Sequence, residues 1–177
     1  MSGTAIPDPK SKFVLCEREL ALVLEIDRIR DEFVDSPQKM LSAVLRTVAE
    51  PLQADLGLIV LVDDQLAFLN QIVFDPHAML SHLPQESLNQ VAAAAVSLHT
   101  ASAFEVGEAL EAAGIQGILA APLRVVSQKL GSLLLFSAMS SVTMDAWPAA
   151  PGYEHVPESP GRLVSLVGSI ALAVVVY

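Results

Sequence analysis

From Leu56 to Val62 the chain reads Leu-Gly-Leu-Ile-Val-Leu-Val, with no polar side chain and no helical stripe of three- and four-residue spacings. Such a run has no face to offer water, so it reads as a strand buried on both faces. Asp63-Asp64-Gln65 makes a tight connection, and Leu66 to Phe74 supplies the partner strand of a hairpin. A second hairpin follows further on. Gly117 to Val126 is one strand, Ser127 to Lys129 its turn, and Leu130 to Ala138 the returning strand. Between the hairpins, Asp75 to Pro84 reads as loop or one irregular turn holding His77 and His82. Gln85 to Leu98 reads as a helix that turns Leu88, Val91, Ala95 and Leu98 inward. Ala103 to Val106 is a short strand, and a short helix over Gly107 to Ala113 is broken by Gly114.

Helices are expected at both ends. Met1 to Lys12, with Pro7 and Pro9, reads as a disordered lead-in. Phe13 to Val34 forms a helix whose stripe is Leu15, Leu22, Ile26, Ile29 and Phe33, widened by Leu20, Val23 and Leu24. A helix apolar on two sides is expected to meet a partner as well as its own domain, so this stripe is the candidate dimer interface. Asp35-Ser36-Pro37 stops that helix and starts another, with Ser36 placed to cap it and Pro37 at its first position. The second helix carries Leu41, Val44, Leu45, Val48 and Leu52 on one face and ends near Glu50, ahead of Pro51. Met139 to Gly161, rich in proline, reads as a long loop, and Arg162 to Val176 as a closing apolar helix. The order of elements predicts an α+β domain, an antiparallel central sheet with helices stacked on one face.

Composition narrows the function. Of 177 residues 53% are apolar and 17% charged, enough for one folded core and too apolar for a disordered chain. The most apolar run, Leu163 to Tyr177, falls short of the roughly twenty residues of a membrane span. No basic segment followed by an apolar stretch opens the chain, so a cytoplasmic location without membrane insertion is expected. The lone Cys16 leaves no internal disulfide, cysteine zinc site or dithiol chemistry. A formal charge of −10 opposes nucleic-acid binding. No Lys or Arg occurs in the 77 residues between Arg46 and Arg124, so a pocket built from that segment lacks a fixed cation.

Certain segments carry a resemblance to a known family. Met40-Leu41 through Ala54-Asp55, then Leu58 to Asp63, then Gly117-Ile118-Leu119-Ala120-Ala121-Pro122-Leu123, then Lys129 to Leu135 occur in order. Together they resemble a GAF domain, a small-molecule-sensing module of signalling proteins. The resemblance covers Asp35 to Tyr177, with the leading helix like the signalling helix before many such domains. It implies a GAF-like fold, related to PAS and profilin, with the N- and C-terminal helices on one face of the sheet. Cyclic-nucleotide-binding members bear an Asn-Lys signature after the last long strand, where Ser137-Ala138 stand here. Cys16 matches neither the thioether cysteine of bilin-binding members nor the several cysteines of methionine-sulfoxide reductases.

The resemblance implies a ligand site between the sheet, the middle helix and nearby loops. Phe68 and Asn70 share a face by alternation; Asn89, His99, Phe104 and Glu105 come from the helical middle and the segment after it. Leu119 and Ala121 alternate on the Pro-Leu strand. An amide in so apolar a segment needs a partner, which favours Asn70 and Asn89. No catalytic or metal site is expected: His77 and His82 lack the one-turn spacing of a helical metal pair, and Asp63-Asp64 suit a turn. The expected function is a regulatory sensor domain for a small neutral or weakly polar ligand, signalling through a helical homodimer. An output domain such as a kinase or cyclase would belong to a longer protein, of which this chain is then a fragment. The alternatives are a ligand-free dimerisation or scaffold module and a haem-based gas sensor; no cofactor is otherwise predicted.

Overall fold

A computed structural model describes residues 17–99, 101–125 and 128–138. The lead-in, Leu15, Cys16, the proline-rich loop and the closing helix lie outside the described residues. Helices α1 (Glu17–Glu32) and α2 (Pro37–Ala49) precede strands β1 (Leu56–Val62) and β2 (Phe68–Phe74). A 3-10 turn (Met79–His82) and helix α3 (Gln85–Val96) lead to β3 (Ser102–Phe104) and α4 (Glu108–Ala112). Strands β4 (Gly117–Val125) and β5 (Gln128–Ser137) complete the described chain. The five strands form one sheet in the order β2-β1-β5-β4-β3, with every neighbouring pair antiparallel.

The uncharged run at Leu56–Val62 is buried because β1 lies between β2 and β5, with helices above and below. Its side chains alternate between two cores. Ile59 sits opposite Ile72 on β2 and Leu133 on β5, in the core under α1 and α2. Leu56, Leu58 and Val60 face the other way, toward α3 and α4. The sheet is therefore covered on both faces, where the order of elements alone predicts helices on one. The middle segment supplies the second layer through Leu88, Ala92 and Ala95 of α3 and Leu110 of α4.

Helix α2 packs by the stripe its sequence predicts, with Leu41, Val44, Leu45 and Val48 all buried. Pro37 takes the first turn, but Ser36 makes no side-chain cap; its carbonyl accepts from Met40 N at 3.0 Å instead. The helix ends at Ala49, and the chain reverses through Gln53, whose φ is +52°. On α1, Ile26 and Ile29 are fully buried in the core beneath α2, and Leu22, with Phe33 just past the helix end, packs against it. These four stripe residues serve the chain's own core, so Ile26 and Ile29 are closed to a partner. The exposed large apolar residues of α1 are Leu20 and Leu24, at 46% and 60% exposure. Arg28 bridges Glu25 and Glu32 at 2.6 and 2.7 Å, holding the Glu25 carboxyl below the usual carboxylate range.

The first hairpin turns later than its pattern suggests. The Asp63 carboxylate accepts from Gln65 N at 2.8 Å and Ala67 N at 2.9 Å, and Leu66 adopts φ +63°. Those bonds hold Leu66 and Ala67 in the turn, so β2 begins at Phe68. The second hairpin starts its return earlier, with Gln128 already opposite Val125. Two side chains join distant segments. The Asp55 carboxylate accepts from Ala138 N at 2.8 Å, and the buried Ser132 hydroxyl lies 3.5 Å from the Ala92 carbonyl oxygen of α3.

Candidate functional site

Where β2 leaves the regular ladder, a gap opens between the edge of the sheet and α3. The cavity measures about 200 Å³. Its apolar floor is Leu58 and Val60 of β1 with Leu88 and Ala92 of α3, and all four are buried. Its rim is Phe68, Leu69, Asn70 and Gln71 on β2 and Gln85 and Asn89 on the first turns of α3. Those six are solvent-exposed, so the cavity communicates with bulk water.

Local geometry explains why four consecutive residues of one strand border one cavity. In a regular strand, alternate residues face opposite ways. The β1–β2 register shifts between Leu61 and Val62: Asn70 pairs with Leu61, while Phe68 pairs with Val62, leaving Leu69 as an extra residue. A bulge of this kind bends an edge strand and re-aims its side chains. Phe68 and Asn70 thus both reach the cavity, yet the register places them on opposite faces of the strand, against the expected simple alternation.

The polar groups of the site are carboxamides. Gln85 Nε2 donates to Asn89 Oδ1 at 3.1 Å, one helical turn along α3. Across the cavity, Asn70 Oδ1 accepts from the Gln71 backbone N–H at 2.8 Å. None of the ten lining residues carries an ionisable side chain. The cation-free segment thus becomes a cavity without charge of either sign.

Of the candidates named from sequence, Phe68, Asn70 and Asn89 come together here. The others do not join them. Leu119 and Ala121 are buried on the opposite face of the sheet, in the core under α2; their neighbours Ile118 and Ala120 face α3. Phe104 packs half-buried against the α3-side core, while His99 and Glu105 are exposed and outside the lining. Sequence reasoning missed Gln71, Gln85 and Leu69. Gln85 stands four residues before Asn89, the spacing that places two amides side by side on a helix, and this signal was present in the sequence. Among the described residues no group of three or more histidine, cysteine or acidic side chains could hold a metal ion. No described helix is long and apolar enough to cross a membrane.

No protein-family model matches the sequence, and no curated protein resembles it in a sequence search. Solved structures do resemble the fold. The GAF domain of a Pseudomonas syringae pv. tomato protein named as a sensor histidine kinase aligns with a TM-score of 0.56 at 16% identity. That match covers 89% of this chain and 85% of the other. The GAF domain from Acinetobacter phosphoenolpyruvate-protein phosphotransferase gives 0.58 at 14% identity, over 92% and 95% of the two chains. The photosensory core module of Stigmatella aurantiaca phytochrome gives 0.57 at 14% identity, over 99% of this chain and 38% of that one. With the five-stranded antiparallel sheet and its flanking helices, these likenesses show that the chain has the GAF-domain fold.

Proposed function

We propose that this chain is a regulatory sensor domain that binds a small neutral ligand between β1, β2 and α3. The observation that carries this reading is the uncharged cavity, with a buried aliphatic floor and four carboxamides at its mouth. Aliphatic surface supplies the drive for binding, and a few placed polar groups supply orientation. A phosphate-bearing ligand would find no cation in the lining. The likeness to structures named as a sensor histidine kinase and a phytochrome photosensory module supports a role in signal transduction. The role is one of binding and not of catalysis, in a cytoplasmic setting.

Signal output in this reading passes through α1. Its inner residues Ile26 and Ile29 rest on the sheet's α2-side core, and its outer Leu20 and Leu24 offer apolar surface one turn apart. A second copy of the chain covers that outer surface, and an output domain such as a kinase or cyclase belongs to a longer protein. Sedimentation at micromolar concentration checks the dimer, and a monomeric mass ends that part of the reading.

A second reading has one observation in its favour. The cavity lies below the ~300 Å³ at which ligand pockets commonly begin, which suits a dimerisation or scaffold module that binds nothing. Thermal shift of the full chain against a panel of neutral metabolites separates the two. Stabilisation by a neutral compound, lost on Leu88→Trp filling of the cavity, supports the sensor. No stabilisation by any compound favours the scaffold. The haem reading gains no support from the cavity, since no lining residue is histidine.

A further inference from the structure

We propose that the ligand is a small neutral ring with a cis-amide edge, a lactam or cyclic imide, read by Gln85 and Asn89. This rests on the sensor reading and names the chemistry of its ligand. The 3.1 Å bond from Gln85 Nε2 to Asn89 Oδ1 joins the two carboxamides head to tail. It uses one donor of Gln85 and one lone pair of Asn89, leaving Gln85 Oε1 to accept and Asn89 Nδ2 to donate. Neither side chain has another hydrogen-bond partner among the described residues. A cis-amide offers the complement on adjacent atoms, an N–H to give and a C=O to receive.

The body of the ring meets Leu58, Val60, Leu88 and Ala92. Size agrees: an apolar cavity of about 150 Å³ accommodates benzene, and this one is about 200 Å³. An anion is disfavoured because the lining has no positive side chain. A simple hydrocarbon is disfavoured because it would strip water from the amides and return no hydrogen bonds.

The experiment is an NMR titration of the full, ¹⁵N-labelled chain with three probes: 2-piperidone, its N-methyl derivative and benzene. Backbone and side-chain NH₂ signals of Asn89 and Gln85 are followed. 2-Piperidone is expected to bind about tenfold more tightly than the N-methyl compound, the loss of one well-made hydrogen bond. Asn89→Leu should weaken 2-piperidone by a similar factor without weakening benzene, which shows that the variant is folded with its cavity intact. If benzene binds while 2-piperidone and N-methyl-2-piperidone bind equally, the amide inference is wrong and the sensor reading stands. If no probe moves any cavity signal, the amide inference falls, and the metabolite panel decides the sensor reading.

Discussion

The centre of the sheet tolerates one glycine replacement and not another, and the difference can be worked from geometry. At Gly131, a Cβ would stand 1.9 Å from the Val60 carbonyl oxygen, where real contacts do not fall under 3.0 Å. The obstacle is backbone, so no side chain can swing aside. Gly131 pairs with Leu61 on β1 and with Leu123 on β4, and neighbours on both sides stop β5 from shifting away. Gly131→Ala must therefore open the β1–β5 ladder by about 1 Å at that point. Losing two ladder hydrogen bonds at about 1 kcal/mol each, with about 1–2 kcal/mol of overpacking strain, predicts a loss of roughly 3–4 kcal/mol. For a chain of this size that lowers Tm by roughly 10 °C.

Gly57→Ala is the control on the same strand pair. Its Cβ would lie 3.0 Å from Leu45 Cδ1 and 3.4 Å from Leu135 Cδ2, both ends of flexible side chains. The expected cost is about 1 kcal/mol or less. Urea unfolding followed by far-UV circular dichroism measures both, provided that the m-value is unchanged. A Gly131→Ala protein within about 0.5 kcal/mol of the parent would refute the reasoning. So would two variants of equal cost.

The Asp75 carboxylate accepts from Met79 N and Leu80 N at 2.8 and 2.9 Å, so Asp75→Ala should cost about 1–2 kcal/mol in chemical denaturation. Leu66 holds φ +63° while half exposed at the hairpin tip, and Leu66→Asn should raise Tm by a degree or more because asparagine tolerates that conformation. Binding of a neutral probe in the cavity should be flat between about pH 5 and about pH 9, since no lining residue titrates; calorimetry at several pH values checks this. Leu45→Ala, at a fully buried position under α2, should cost about 2–5 kcal/mol by the same urea assay.

Periodicity made much of the fold legible. The α2 stripe and the β1 run specify burial through spacing alone, and each packs as its spacing predicts. Boundaries were less legible where side chains compete for the backbone: Asp63 holds Leu66 and Ala67 in a turn that their apolar character assigns to a strand. The layering of α3 and α4 was harder still. Their apolar faces state that they bury something, while the choice of sheet face depends on connections longer than any local pattern. The site was legible in part. Asn89 and Asn70 could be singled out as amides in apolar surroundings, but alternation failed on β2 because a register shift has no signature in single-strand spacing. Leu119 and Ala121 were drawn in by a strand that does face the α3 layer, through its other residues, Ile118 and Ala120.

The same register shift bears on how binding could be read at a distance. Floor residues Leu58, Val60, Leu88 and Ala92 are locked in a packed core, which resists small displacements. β2 is different: among the described residues it is an edge strand, paired by β1 alone. Its first half borders the cavity through Phe68 to Gln71, and its second half is anchored by Ile72 and Phe74 in the core under α2. Ile26 and Ile29 of α1 belong to that same core. A ligand seated against Phe68 to Gln71 therefore acts on the wall with the fewest constraints, and that wall ends in the packing that supports α1. In the proposed reading, stability and response thus fall on different strands, the packed inner strands β1 and β5 and the bulged strand β2 at the rim.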